Sequence, residues 1–304
     1  VSGQILVDGV LTGALLGLGA IGLTLTYAIL RFANFAHGEF VTAGAYVALV
    51  AAPALAPALA TVAPAESIGG LTFGWNLIAA MAVAMAVTGL LAAGLDWLLF
   101  ARLRRHGTQI VLVIASFGAS LAVRSLIEFG FGPGARYYTT DIAMGVRLPG
   151  GARATWDQMA IVALAAGLMV AMHLVMTRSP VGRAMRAASE NPALARLAGI
   201  DVERVIRATW LLGGGLAAAA GVLLGVVVQV RPYMGFDLLL PMFAAAIVGG
   251  IGSVPGAVAG GMLVGIAEAA AVPLVGAQYR AAVGFLVLLA ALLLRPRGLF
   301  GARP

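Results

Sequence analysis

The run GVLTGALLGLGAIGLTLTYAIL, residues 9–30, decides the fold class. It lies between Asp8 and Arg31 and holds 22 uncharged residues. A bilayer core needs about 20 apolar residues per helix. The run is continuously apolar, whereas a membrane-barrel strand alternates. Similar lengths recur along the chain. There are 26 uncharged residues between Glu39 and Glu66, and 29 between Glu66 and Asp96. There are 20 between Asp157 and Arg178, 23 between Arg207 and Arg231, and 30 between Asp237 and Glu268. The expected fold is an all-α polytopic membrane protein, because helices satisfy their own backbone polar groups in lipid.

Composition agrees. Of 304 residues, 62% are hydrophobic and 10% are charged, against roughly 45–50% and about 25% in an ordinary soluble domain. Mean hydropathy is +1.02. A soluble globule of this size cannot hide so much apolar surface, which argues against a water-soluble enzyme. The net charge of +7 comes from 19 basic residues, all of them Arg. No basic run is interleaved with aromatics, so nucleic acid is not an expected partner. The positive-inside rule accounts for the excess. Cysteine is absent and the three His, at 37, 106 and 173, are far apart. Disulfides, thiolate chemistry and a conventional metal site are therefore not expected. The opening VSGQ has no basic stretch, so the first apolar run is expected to be a retained helix and not a signal peptide.

Nine apolar segments are expected, at 5–30, 40–62, 73–100, 108–131, 157–177, 203–230, 238–251, 256–272 and 279–295, giving about 8–9 transmembrane helices. The seventh is short and runs into GGIGSVPG, residues 249–256. Four Gly and one Pro in eight residues predict a broken or re-entrant segment near 238–272. Gly249, Gly250 and Gly252 are candidates to line a path there. The Arg distribution sets the orientation. Arg31, the 102–105 group, the 178–207 group and three near the C-terminus, 13 of 19, fall on one side. Arg124, Arg136, Arg147, Arg153, Arg231 and Arg280 lie in or near the other. The rich side is expected to be cytoplasmic, with the N-terminus outside and the C-terminus inside. Residues 1–304 then form one transmembrane domain. Residues 132–156 are an extracytoplasmic loop that meets something outside, and 178–203 a structured cytoplasmic loop. There is no GxxxxGK[ST] phosphate loop.

The cytoplasmic loop is dense in helix signals. Ser179-Pro180 and Asn191-Pro192 each place a capping side chain before a first-turn proline. Gly199 suits the left-handed stop after a short helix over 192–198, and Asp201 caps the next one. The short helix offers Leu194, Leu197 and Ala198 on one face, flanked by Glu190 and Arg196. It reads as a docking helix for a cytoplasmic partner, or as an ordinary surface helix. In RFANFAHGEF, residues 31–40, the polar groups Asn34, His37 and Glu39 stand between two apolar runs. They line a substrate path or make an interfacial turn, and His37 and Glu39 are close enough in sequence to pair. Arg124 and Glu128, four apart, are expected to neutralise one another. Glu268 is expected to snorkel from an outer helix end, Asp96 to sit by Arg102 and Arg105, and His173 to make a lone contact between helices. Small-residue faces at 213–221 and 256–265 predict close helix packing.

These residues also carry a resemblance. Residues 22–49 (GLTLTYAILRFANFAHGEFVTAGAYVAL), 179–225 and 244–269 resemble, in order and spacing, three signature blocks of the branched-chain amino-acid permeases of ABC importers. Residues 50–178 carry little of it. The resemblance implies the shorter, first-type permease of a bacterial inner-membrane importer. A second homologous permease subunit would complete the path. Two ATP-binding subunits would use ATP and Mg, with no cofactor held by this chain. An extracytoplasmic substrate-binding protein would deliver an amino-acid substrate. The positions from Glu190 to Gly199, with Asn191, Leu194, Arg196 and Leu197, correspond to the helix that couples to an ATPase. Arg136, Arg147 and Arg153 are candidates to dock the binding protein. Family members also move urea, short amides or other amino acids. The rival classes are an ion-gradient secondary transporter, which has no need of a capped docking helix, and an intramembrane enzyme. An enzyme needs a nucleophile, metal or acid–base cluster, and none is evident.

Overall fold

The computed structural model describes residues 2–59, 68–141, 143–148, 151–295 and 298–300. Residues 60–62 of the second expected segment, 142, 149 and 150 of the outer loop, and Arg297 and Arg303 lie outside the described residues. Helix α1 (Ser2–Leu30) is followed by α2 (His37–Leu59) and α3 (Trp75–Leu95). A π turn, Asp96–Phe100, joins α3 to α4 (Ala101–His106). Then come α5 (Gln109–Phe131), strands β1 (Gly145–Arg147) and β2 (Arg153–Thr155), and α6 (Trp156–Arg178). Two short helices, α7 (Pro180–Glu190) and α8 (Pro192–Leu197), precede α9 (Val202–Val227), α10 (Met234–Gly249), α11 (Val254–Val275) and α12 (Arg280–Leu294).

Each of the nine expected segments has become a helix. Among the described residues, seven are long and apolar enough to cross a membrane, and α10 and α12 are shorter apolar helices. The protein is an all-α polytopic membrane protein. The third segment runs on as one span, Trp75–Arg105. At 31 residues it measures about 46 Å, longer than a hydrocarbon core of about 30 Å.

Close approach of small residues organises the core. Gly9 and Gly13 lie four apart on α1 and face α11, where a Cβ would come within 2.9 Å of Ile266 Cα and 2.8 Å of Met262 Cα. Gly213 and Gly214 let α9 approach α1 and α3 in the same way, against the Gly22 and Thr88 carbonyls. Lipid tails are as apolar as leucine, so such van der Waals contact does much of the work of helix association in a bilayer.

The Gly-rich stretch breaks the helix as a tight turn. Gly250 and Gly252 take φ of +104° and +86°, a region open to glycine. Ser253 Oγ then accepts from the Gly256 amide at 3.0 Å and starts α11. Gly249 faces Gly256 and Gly260 faces Ala245, so α10 and α11 fold back antiparallel on each other.

Candidate functional site

The polar stretch after α1 enters the bundle. Arg31 takes φ of +56°, rare for a residue with a side chain, and the chain turns inward there. Phe32 packs on Phe100 at a centroid distance of 5.4 Å, and Phe100 stacks on Trp210 at 5.3 Å. Asn34 organises the turn: its Oδ1 accepts from the Ala36 amide at 3.1 Å and its carbonyl from the His37 amide at 3.3 Å. The Phe35 amide donates to Ser116 Oγ at 3.0 Å. His37 then opens α2, and its Nε2 donates to the Gly19 carbonyl at 3.0 Å. Gly19 lies about 16 Å of helix before the end of α1, at 1.5 Å per residue. Helix α2 therefore starts well inside the bundle, not at its edge.

Asn34, His37 and Glu39 are all buried, but their side chains do not bond to one another. Positions two apart on a helix diverge, so His37 points to α1 and Glu39 to α5. Glu39 Oε1 accepts from Ser120 Oγ at 3.1 Å, from Arg124 Nε at 3.1 Å and from a second Arg124 nitrogen. His37 and Glu39, close enough in sequence to pair, do not, and the expected Arg124–Glu128 pair gives way to a Glu39–Arg124 ion pair. Glu39 Oε2, His37 Nδ1 and Asn34 Nδ2 are buried without a hydrogen-bond partner. The Arg124 guanidinium lies over two rings, 4.4 Å from the Phe236 centroid and 5.0 Å from that of Tyr233.

The other expected sites fall elsewhere. The turn at Gly249, Gly250 and Gly252 packs on α1 and the C-terminal segment. The Gly252 amide donates to Thr24 Oγ1 at 2.7 Å, and the Phe300 amide to the Gly249 carbonyl at 3.0 Å. Glu268 does not reach out to water; it is 3% exposed, with Arg280 Nε 3.9 Å away. Asp96 pairs with Arg104, not Arg102 or Arg105. Residues eight apart on a regular helix are about 80° out of line, and the intervening π turn changes that phase. His173 is exposed and lines an open groove between α6 and α11.

In the 178–203 segment the caps are in place. Ser179 Oγ accepts from the Gly182 amide at 3.0 Å, and Asp201 Oδ1 from the Arg204 amide at 3.0 Å. Asn191 Oδ1 accepts from the Ala193 and Leu194 amides, both at 3.0 Å. Gly199, at φ +81°, ends α8, and the Ile200 amide donates to the Ala195 carbonyl at 3.0 Å. Only Ala195 of α8 is buried. Leu194 and Leu197 stand 63% and 85% exposed, flanked by Arg196 and Glu190, both exposed. Arg31 reaches this region from the turn, donating to the Ser189 and Glu190 carbonyls at 3.1 and 3.3 Å.

Residues 5–292 match the family described as branched-chain amino acid transport system, permease component. The chain belongs to that permease family. It is 33% identical over 303 residues to the high-affinity branched-chain amino acid transport permease BraD of Pseudomonas aeruginosa, covering 98% of this chain and 95% of BraD. It is 33% identical over 312 residues to LivH of Escherichia coli K12, with the same coverage, and 28% identical to a probable LivH of Methanocaldococcus jannaschii. The chain is a multi-pass membrane permease, the non-catalytic component of a transport system.

The permease's 132–156 loop is pinned to the bundle. Arg136 and Val230 exchange backbone hydrogen bonds of 2.8 Å, and Tyr138 Oη donates to the Ala45 carbonyl at 2.9 Å. Burial pushes the Tyr138 phenol above its ordinary pKa and keeps it a donor. Strands β1 and β2 pair antiparallel with Arg147 directly opposite Arg153, and both are exposed, as is Arg136. Nothing local in the chain points to Ser120, Tyr233 and Phe236 as members of the polar cluster. They join it over separations of 81 residues or more, beyond any local periodicity.

Proposed function

We propose that the chain is the membrane subunit of an ABC importer that carries branched-chain amino acids into the cell. It pairs with a second homologous permease and with two ATP-binding subunits, which use the ATP and Mg, and it holds no cofactor of its own. An extracytoplasmic binding protein delivers substrate to the 132–156 side. The 178–203 segment faces the cytoplasm, with the N-terminus outside, in the inner membrane of a bacterial cell. The family match carries the transport reading. Helix α8 carries the ATPase partner: its two leucines face away from the bundle on an element capped at both ends, which suits a rigid plug in a partner's cleft. The buried groups at Asn34, His37 and Glu39 supply the polar part of the path; a binding protein that supplies selectivity leaves little need for tight binding here.

The test is reconstitution of the whole complex in proteoliposomes. Leucine uptake should require ATP, the ATPase subunits and the binding protein. Leu194→Ala with Leu197→Ala removes contacts worth about 1.5–3 kcal/mol per side chain when buried. Gly199→Val opposes the left-handed stop. Both variants should insert in the membrane and lose ATPase co-purification or ATP-coupled uptake. Wild-type co-purification and uptake in both would overturn the docking role. Uphill uptake by the chain alone, driven by an ion gradient, would overturn the importer reading.

A further inference from the structure

We propose that Arg124 and Glu39 are an exchangeable ion pair opened by a zwitterionic amino acid. The substrate carboxylate takes Arg124, and its ammonium takes the free oxygen of Glu39. The proposal rests on the importer reading above and narrows its substrate class.

The pair is lopsided. Both Arg124 donors converge on Oε1, while Oε2 is buried without a partner. A guanidinium and a carboxylate can form two parallel bonds, and this pair leaves that option unused. It also lies at a boundary. Glu39 is fully sealed, whereas Arg124 is 8% exposed and rests on Phe236 and Tyr233, themselves 36% and 47% exposed. The rings form an open apolar wall with a cation at its base and a carboxylate behind it. The wall and the carboxylate share one anchor: Thr42 Oγ1, one helical turn beyond Gly38, accepts from the Gly235 amide at 3.1 Å.

This geometry suits a neutral solute with one positive end, one negative end and an aliphatic chain. Such a solute replaces each charge with another of the same sign, so neither partner is stranded. A solute with a single charge leaves Arg124 or Glu39 buried and unpaired, which is strongly unfavourable. Urea and short amides have no charge to exchange and gain nothing from the pair. An aliphatic side chain has the two rings to lie against.

The experiment uses the full complex in proteoliposomes and reads solute taken up per ATP hydrolysed, a ratio that partial loss of assembly does not move. Glu39→Gln with Arg124→Gln keeps hydrogen-bonding groups and removes both charges. It should lower the leucine ratio about tenfold or more, the scale of a lost charge-assisted hydrogen bond. Tyr233→Leu with Phe236→Leu keeps the exposed wall apolar and removes the rings under Arg124. It should lower the ratio several-fold, and it decides the question if the first variant does not assemble. A wild-type ratio in an assembled variant of either kind overturns the exchange. The two readings fail separately. If the unaltered complex imports leucine and the variants match it, the ion-pair proposal alone falls. If the unaltered complex imports urea or an amide and no amino acid, the substrate reading falls with it.

Discussion

At the scale of single residues, burial decides the chemistry. Glu39 is an acid within a membrane helix, and such a charge persists only when paired. Arg124 is its partner in the described structure. Arg124→Ala should therefore be the most damaging single change in the cluster, because it strands a buried carboxylate at about 3–5 kcal/mol. Glu39→Gln strands less, and the double change to Gln should be milder than Arg124→Ala alone. Thermal denaturation of the detergent-purified complex checks the order. If Arg124→Ala is as stable as the double variant, the pair carries no structural weight.

At the scale of elements, Arg31 connects two regions. Its backbone makes the turn into the bundle, and its side chain holds the last carbonyls of α7, next to the Asn191 cap of α8. Movement of α7 and α8 would thus reach the start of α2 through one residue. Arg31→Gly separates the two roles, since glycine accepts positive φ without strain but has no guanidinium. The variant should assemble and hydrolyse ATP while taking up several-fold less leucine per ATP. Arg31→Ala should be less stable than Arg31→Gly, because it adds backbone strain of about 1–2 kcal/mol. Equal uptake per ATP in Arg31→Gly and the unaltered protein would rule out the connection.

At the scale of the whole molecule, exposed arginines stand at both ends of the bundle. On the β1–β2 hairpin Arg147 and Arg153 stand directly opposed, an arrangement that like charges disfavour and that an acidic partner surface would relieve. Reversing Arg136, Arg147 and Arg153 to Glu should weaken stimulation of ATP hydrolysis by the binding protein, most strongly at low salt, where screening is least. Unchanged stimulation at low salt would give the loop another role. Because cysteine is absent, single-cysteine labelling fixes orientation cleanly. Thr139→Cys should react with an impermeant reagent from outside intact cells, and Ala193→Cys only after the membrane is opened. The reverse pattern would invert the topology.

The helical membrane class, the helix ends of the 178–203 loop and the break before Gly256 were legible in the residues alone. Each depends on local physics: the length of an uncharged run, a capping side chain ahead of proline, glycines that accept positive φ. Tertiary structure alone decided the pairing of polar groups. Local spacing offered His37 to Glu39 and Arg124 to Glu128, yet His37 bonds to Gly19 and Glu39 to Ser120 and Arg124. The reason is geometric. A helix turn sets which neighbours share a face, but a buried charge bonds to whatever complementary group the packing of other helices brings against it. Here that group lies 85 residues away, on a helix whose approach was fixed by the fold of the whole bundle.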